Sequence, residues 1–297
     1  MIELLTFSNE VADALADRRP VVALETTLVA HGFPAPEGVA VGLESERRVR
    51  AAGAVPATVG VLDGTVRIGI SEAELGRFGP DARKVGPRDL AACAVQGTTG
   101  ATTVGGTLAV CRAAGIGFLG TGGLGGVHRG FPTLPDVSAD LGELARTQVL
   151  VVSSGAKSLL DVAATAELLE TLGVPVLGFR TDTLPLFYSA VGGPPVSARV
   201  ETAEEAARIA RAHWELGRHS GVLLGRPPDE SLEVEGLIEE AIAEARRRGI
   251  AGQAVTPFVL STLHETSGGA TLRVNRDLVA ANAGLAGEVA VAYAALR

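Results

Sequence analysis

Only two of the 26 basic side chains in this 297-residue chain are lysine, Lys84 and Lys157; the rest are arginine. Where arginine serves as the generic cation, each remaining lysine is a candidate for what arginine cannot do, which is to lose its proton near neutral pH and attack a carbonyl carbon. Both stand in glycine-flanked motifs, RKVGP and SSGAKS, rather than on charged helical faces. Lys157 directly follows an apolar run at 148–154 and opens a stretch of helical periodicity at 157–172. Ligands of open α/β sheets collect at the carboxyl ends of strands, so Lys157 is expected in the crevice as a nucleophile at the start of a helix.

Three further groups could do chemistry. Glu25 ends the apolar run VVALE; desolvation there would raise its proton affinity toward that of a general acid, while a salt bridge to one of the arginines is the plainer alternative. Asp136, Ser138 and Asp140 form D-x-S-x-D. In an extended segment all three face one way and could converge on a hard cation such as Mg²⁺ or Mn²⁺, whereas in the other reading Ser138 caps a helix at 139–146; the two are compatible. Gly120-Thr-Gly-Gly-Leu-Gly125 has the G-x-G-x-x-G spacing, but it runs into the loop Val-His-Arg-Gly-Phe-Pro and the next strand ends in serines, so it does not fit a dinucleotide turn. What remains is close approach of backbone to a ligand or a neighbouring strand, with amides available to an anion. His31 and His128 sit in glycine-rich loops and either bind phosphate or are simply exposed; His213, His219 and His264 are expected to be structural.

Positioning these residues requires a layered fold. The pattern predicts a helix at 9–18, a strand at 21–27, a helix at 38–52, a hairpin at 58–70 turning on Asp63-Gly64, a short helix and then a loop holding Lys84. Helix and strand then alternate: helices at 104–114, 139–146 and 157–172, strands at 116–120, 148–154 and 174–180. Helices near 202–216 and 233–248 bracket the apolar run 221–225, and two helices meet at the Ser-Gly-Gly turn 267–269. This is an α/β pattern with a largely parallel sheet and at least one hairpin, and with no Pro/Ser-rich linker it reads as one domain over 1–297.

Composition narrows the function classes. The formal charge of −8 and the 4% aromatic content oppose a nucleic-acid polymer as partner. The N-terminus lacks the layout of a signal peptide, and the uncharged stretch 90–111 is too rich in glycine and threonine for a membrane span, so a cytoplasmic protein with no membrane partner is expected. Cys93 and Cys111 lack metal-ligand spacing and are expected to be buried thiols.

Nine ordered motifs carry a resemblance: ALETTLVAHGFPAPEG, VPATVGVLDGTVRIGI, RKVGPRDL, GATTV, TGGLGGVHRG, DVSADL, GAKSLLD, TPFVLSTLHETSGG and NRDLVAANAGLAGEVA. From about residue 18 to its end the chain resembles the pseudouridine-5′-phosphate glycosidases (pseudouridylate synthases) of the indigoidine-synthase-A-like group. The resemblance implies a three-layer α/β/α fold with a mostly parallel, mixed sheet, usually as a homotrimer. It also implies reversible cleavage of the C–C glycosidic bond of pseudouridine 5′-phosphate to uracil and ribose 5-phosphate, with Mn²⁺ or another divalent cation, one per subunit. By the same resemblance Lys157 is the Schiff-base nucleophile, Glu25 the proton donor and Asp136 the metal ligand. Lys84, the Val104 backbone, Ser138, Ala139, Asp140 and Asn275 contact substrate, and His128 is counted with them. The rival readings are a Schiff-base aldolase on another sugar phosphate and a non-catalytic accessory protein of indigoidine-type pigment biosynthesis.

Overall fold

The computed structural model describes residues 4–131, 135–250 and 252–296. In chain order the strands are β1 (Leu5–Phe7), β2 (Val21–Glu25), β3 (Val55–Leu62), β4 (Thr65–Ile68), β5 (Arg83–Val85), β6 (Gly100–Thr102), β7 (Phe118–Gly120), β8 (Val127–His128), β9 (Leu150–Ser153), β10 (Leu160–Asp161), β11 (Val176–Phe179), β12 (Ala198–Val200) and β13 (Val222–Gly225). The helices are α1 (Asn9–Ala16), α2 (Glu37–Ala51), α3 (Glu72–Leu75), α4 (Leu90–Val95), α5 (Val104–Ala114), α6 (Ala139–Leu144), α7 (Val162–Thr171), α8 (Ala203–Glu215), α9 (Glu235–Arg247), α10 (Val255–Thr266) and α11 (Ala270–Ala295).

An eleven-stranded sheet runs β1-β4-β3-β2-β7-β9-β13-β11-β12, with β6 branching from β3 and β5 pairing β6. From β3 to β12 every neighbour is parallel; the antiparallel pairs are β3-β4 and β3-β6. The β3-β4 hairpin pairs Leu62 with Thr65 around Asp63 and Gly64, whose φ angles of 50° and 80° give the turn the twist that matches paired strands.

Strand β2 is buried along its whole length and alternates between two layers. Val21 and Ala23 join α1, α5, α6 and α7 in one apolar cluster, whereas Val22 and Leu24 join α2, α8 and α11 in the other. The sheet is therefore the middle layer of an α/β/α sandwich. A third cluster, of α9, α10 and the start of α11 with Phe187 and Tyr188, packs beside it. Helix α11 is long and apolar enough to cross a membrane, but most of it is buried against β2, β7, β9, α2 and α8, as the central helix of a core. Cys93 and Cys111 are buried free thiols, and burial pushes Cys111 up to about 12.

Two of the differences from expectation concern the lysines. Lys84 lies on β5, paired opposite Ala101, instead of in a loop. Lys157 lies in a turn after β9; its helix begins only at Val162, capped by the Asp161 side chain on the Ala164 amide. A helix does not run from 157 because residues 160–161 are drawn into antiparallel pairing with β8.

Candidate active site

Parallel register brings the catalytic candidates together. Leu24 pairs with Gly120 and Gly120 with Val152, so the residues one step further on, Glu25, Thr121 and Ser153, stand side by side at the carboxyl ends of β2, β7 and β9. Glu25 continues the Val21, Ala23 face and so points toward the layer of α5 and α6. There a cleft of about 680 Å³ opens, lined among others by Glu25, Lys84, His128, Asp136, Asp140 and Lys157.

Glu25 is only 5% exposed. Burial raises it from the ordinary glutamate value of 4.5 to about 7, although the Lys157 charge and the Thr121 hydroxyl, which donates to Oε1 at 2.5 Å, both pull it down. Near neutral pH such a carboxyl can give or take a proton. The salt-bridge alternative fails, since its electrostatic partners are the two lysines of the cleft and Asp140 rather than an arginine. Burial and the neighbouring Lys157 bring Lys84 down to about 8, against the opposing pull of Asp140 and Glu25. The side chain of Lys157 lies along Gly123, where an added Cβ would stand 3.2 Å from its Cγ and 2.7 Å from the Phe187 ring. The glycine run thus serves close approach, and the anion its amides meet is internal: Gly125 donates to Asp140 Oδ2 at 2.9 Å.

The D-x-S-x-D run divides its labour. Ser138 caps α6, accepting from the Asp140 amide at 3.2 Å. Asp140 does not turn with Asp136 toward a shared ion: its Oδ1 accepts from Gly105 at 2.7 Å and its Oδ2 from Gly125, so it ties the start of α5 to the glycine loop. Asp136 stays 36% exposed on the cleft, with its Oδ2 3.9 Å from His128 Nδ1. At that length burial outweighs the pair, and His128 is held below the usual histidine range. No cluster of three His, Cys, Asp or Glu side chains is placed to hold a metal among the described residues. A single open carboxylate fits a hard, mostly hydrated divalent ion rather than one caged by protein ligands.

A family model described as indigoidine synthase A like protein matches residues 10–292. The chain belongs to the indigoidine synthase A like family. The pseudouridine-5′-phosphate glycosidase of a Nocardioides species is 48% identical, across 99% of this chain and 98% of that protein. Those of Geobacillus kaustophilus and Escherichia coli K12 are 45% and 43% identical, across 98% of this chain and 99% and 96% of theirs. Among solved structures, the prealnumycin C-glycosynthase AlnA in complex with ribulose 5-phosphate superposes with a TM-score of 0.89 at 42% identity, over 100% of this chain and 99% of that one. The indigoidine synthase A-like protein of Thermotoga maritima gives 0.84 at 40% identity over 92% of each chain.

The remaining candidates of this family member fall in different places. Ala139 lines the cleft beside Ser138. Val104 is the buried first residue of α5, where the Thr103 hydroxyl takes the Gly106 amide and Asp140 the Gly105 amide. Asn275 is buried in α11 outside the cleft lining, its Oδ1 without a partner and close behind Gly122. His31 is neither exposed nor on the cleft wall: it lies in a wide helical turn, its Nε2 3.0 Å from the Ala82 carbonyl oxygen and its Nδ1 buried without a partner. His213 is structural as expected, 2.9 Å from Ser220 Oγ. Thr121, Phe187 and Asn282 stand at this site without having been singled out from the sequence. Thr121 alone carried a signal, as the single hydroxyl inside the glycine run.

Proposed function

We propose that this chain cleaves, reversibly, the C–C glycosidic bond of pseudouridine 5′-phosphate to uracil and ribose 5-phosphate. The observation that carries the reading is a buried glutamate, poised near neutrality, facing both lysines of the chain in one cleft. The names borne by its relatives and the pentose phosphate in the related C-glycosynthase support the same substrate class.

A bond from C1′ to a uracil carbon offers no heteroatom leaving group, so a carboxylate pair alone has little to protonate and expel. In the proposed course, protonated Glu25 donates to the ribose ring oxygen, the C1′–O bond opens and Lys157 Nζ bonds to C1′. Once the adduct nitrogen has lost a proton to the Glu25 carboxylate, its lone pair forms C=N as the C1′–C5 bond breaks; the bonding electron pair leaves with uracil, which takes that proton at C5. Water hydrolyses the iminium, releasing ribose 5-phosphate and the free amine. Lys84 meets the phosphate, and Ser138, Ala139 and the Val104 backbone position the sugar. Asp136 would hold the divalent ion, Mn²⁺ in this reading, which when bound adds positive charge against phosphate or uracil through water.

Pseudouridine 5′-phosphate and uracil differ in ultraviolet absorbance, so purified protein with Mn²⁺ is tested directly. Conversion is expected; no turnover anywhere between pH 6 and pH 9 refutes the proposal. A homotrimeric assembly belongs to the same reading and is checked by light scattering.

A further inference from the structure

Helix α11 carries an amide into the apolar layer it shares with α2 and α8. Asn282 is fully buried beside Ala283, Leu285 and Ala286, and is one of three asparagines in the chain. Its Nδ2 donates to the Thr121 carbonyl at 2.9 Å, the Gly122 carbonyl at 3.3 Å and Ser154 Oγ at 3.1 Å. These acceptors belong to two loops. Thr121 follows β7, and its hydroxyl donates to Glu25. Ser154 follows β9, three residues before Lys157, and its own amide donates to the Gly122 carbonyl at 2.8 Å. Helix and loop are in contact, since a Cβ on Gly120 would stand 2.9 Å from Ala283 Cα. A buried amide costs stability unless its bonds are made, and a leucine would suit this layer at least as well. What the amide adds is the junction between the loops.

We propose that Asn282 is a positioning residue: it locks the loop carrying Thr121, the partner of Glu25, to the loop carrying Lys157, and so sets acid and nucleophile relative to each other. The proposal rests on the roles of Glu25 and Lys157 given above. Asn282 does not line the cleft and acts only through these loops.

The test uses Asn282→Leu and Asn282→Ser in the full chain, with Asn282→Ser deciding the case should the leucine variant not fold. Sub-ångström misplacement of reacting groups lowers rate more than affinity, so kcat is expected to fall about 10- to 100-fold with KM within about threefold. Glu25 faces Thr121, Lys157, Lys84 and Asp140. Loosening the Thr121 bond removes one influence that favours its ionised form, so the alkaline limb of kcat is expected to move to higher pH. In a Thr121→Val background, Asn282→Ser is expected to add little further shift. Inactive wild-type protein would overturn the glycosidase reading and this proposal with it. Active wild type, with variants that keep its kcat and pH profile, would overturn this proposal alone. So would a loss confined to melting temperature with kcat per folded subunit unchanged.

Discussion

Replacing Glu25 by glutamine separates what the buried carboxyl does for chemistry from what it costs the fold. The group is 5% exposed and has moved from 4.5 to about 7, chiefly by burial. Each factor of ten in acidity corresponds to about 1.4 kcal/mol, so ionised Glu25 costs the native state about 3 kcal/mol relative to the unfolded chain. The unfolded carboxyl loses its proton near 4.5 and the folded one keeps it to about 7, so between these values the native state binds more protons. Stability therefore falls as pH rises through that window and levels off above it, while below 4.5 both states are protonated and the penalty is absent. Glutamine keeps the shape and an oxygen for the Thr121 hydroxyl but never ionises. Glu25→Gln is thus expected to match wild type in stability near pH 4.5 and to exceed it by about 3 kcal/mol at pH 8, while turnover falls about 10²- to 10⁴-fold. Denaturant unfolding midpoints across pH 4.5 to 8, measured beside uracil release, give both quantities. A difference that does not change with pH, or a variant less stable than wild type at pH 8, would refute the account of Glu25 as a desolvated acid.

Lys157→Arg keeps the charge but not the nucleophile, so borohydride added with ribose 5-phosphate is expected to label wild type on Lys157 and leave the variant unlabelled, with turnover down about 10³-fold or more; an adduct mapped to Lys84 would reverse the roles. Lys84, lowered to about 8, is charged below that pH and loses its charge above it, so KM is expected to climb through the window around and above pH 8 in wild type and stay flat in Lys84→Arg; a flat wild-type profile to pH 9.5 would exclude Lys84 as the phosphate partner. Asp140→Ala strands the Gly105 and Gly125 amides and is expected to cost about 3 kcal/mol in unfolding experiments with an unchanged Mn²⁺ requirement, whereas Asp136→Ala is expected to keep stability and need more Mn²⁺; the opposite pattern sinks the division between them. In Gly123→Ala the new methyl would meet Phe187 at 2.7 Å and Lys157 at 3.2 Å, so a loss of about 1–3 kcal/mol is expected together with weaker borohydride labelling; a variant equal to wild type in both would show that the loop yields freely.

What was legible in the sequence was what local chemistry encodes. The hairpin at Asp63-Gly64 follows from a turn that few other residue pairs accept, and the helices at 104–114, 203–215 and 235–247 from apolar spacing. Scarcity of lysine singled out Lys84 and Lys157, and the structure brings both into one cleft. What escaped was set by tertiary pairing. Lys84 joins a strand because β6 offers an edge to residues 83–85, and Lys157 is held out of its helix because β8 recruits residues 160–161. Asp136 and Asp140 look equivalent in the run, but the start of α5 and the glycine loop each deliver one amide to Asp140 and none of that kind to Asp136. Asn282 gave no local sign at all, since its acceptors lie 128 to 161 positions away along the chain.

Three unfavourable features gather around this one place. Glu25 is buried at the cost of its charged form, Asn275 keeps an unpartnered buried oxygen behind Gly122, and Phe187 holds φ +64°, a backbone state that bulky residues avoid, with its ring against Gly122 and Gly123. Such costs persist only where surrounding structure over-determines them. Here that surrounding is visible: the Phe187 amide donates to the Ser154 carbonyl at 2.9 Å, Asn282 grips both loops, and Asp140 ties the glycine run to α5. The parallel strands beneath are buried on both faces and filled by valine, leucine and alanine, so they supply the apolar burial that offsets these costs. A regular sheet and a long central helix can therefore hold a carboxyl poised near neutrality, two amines and an exposed carboxylate in fixed relation, the arrangement that the proposed C–C glycoside cleavage through a lysine adduct requires.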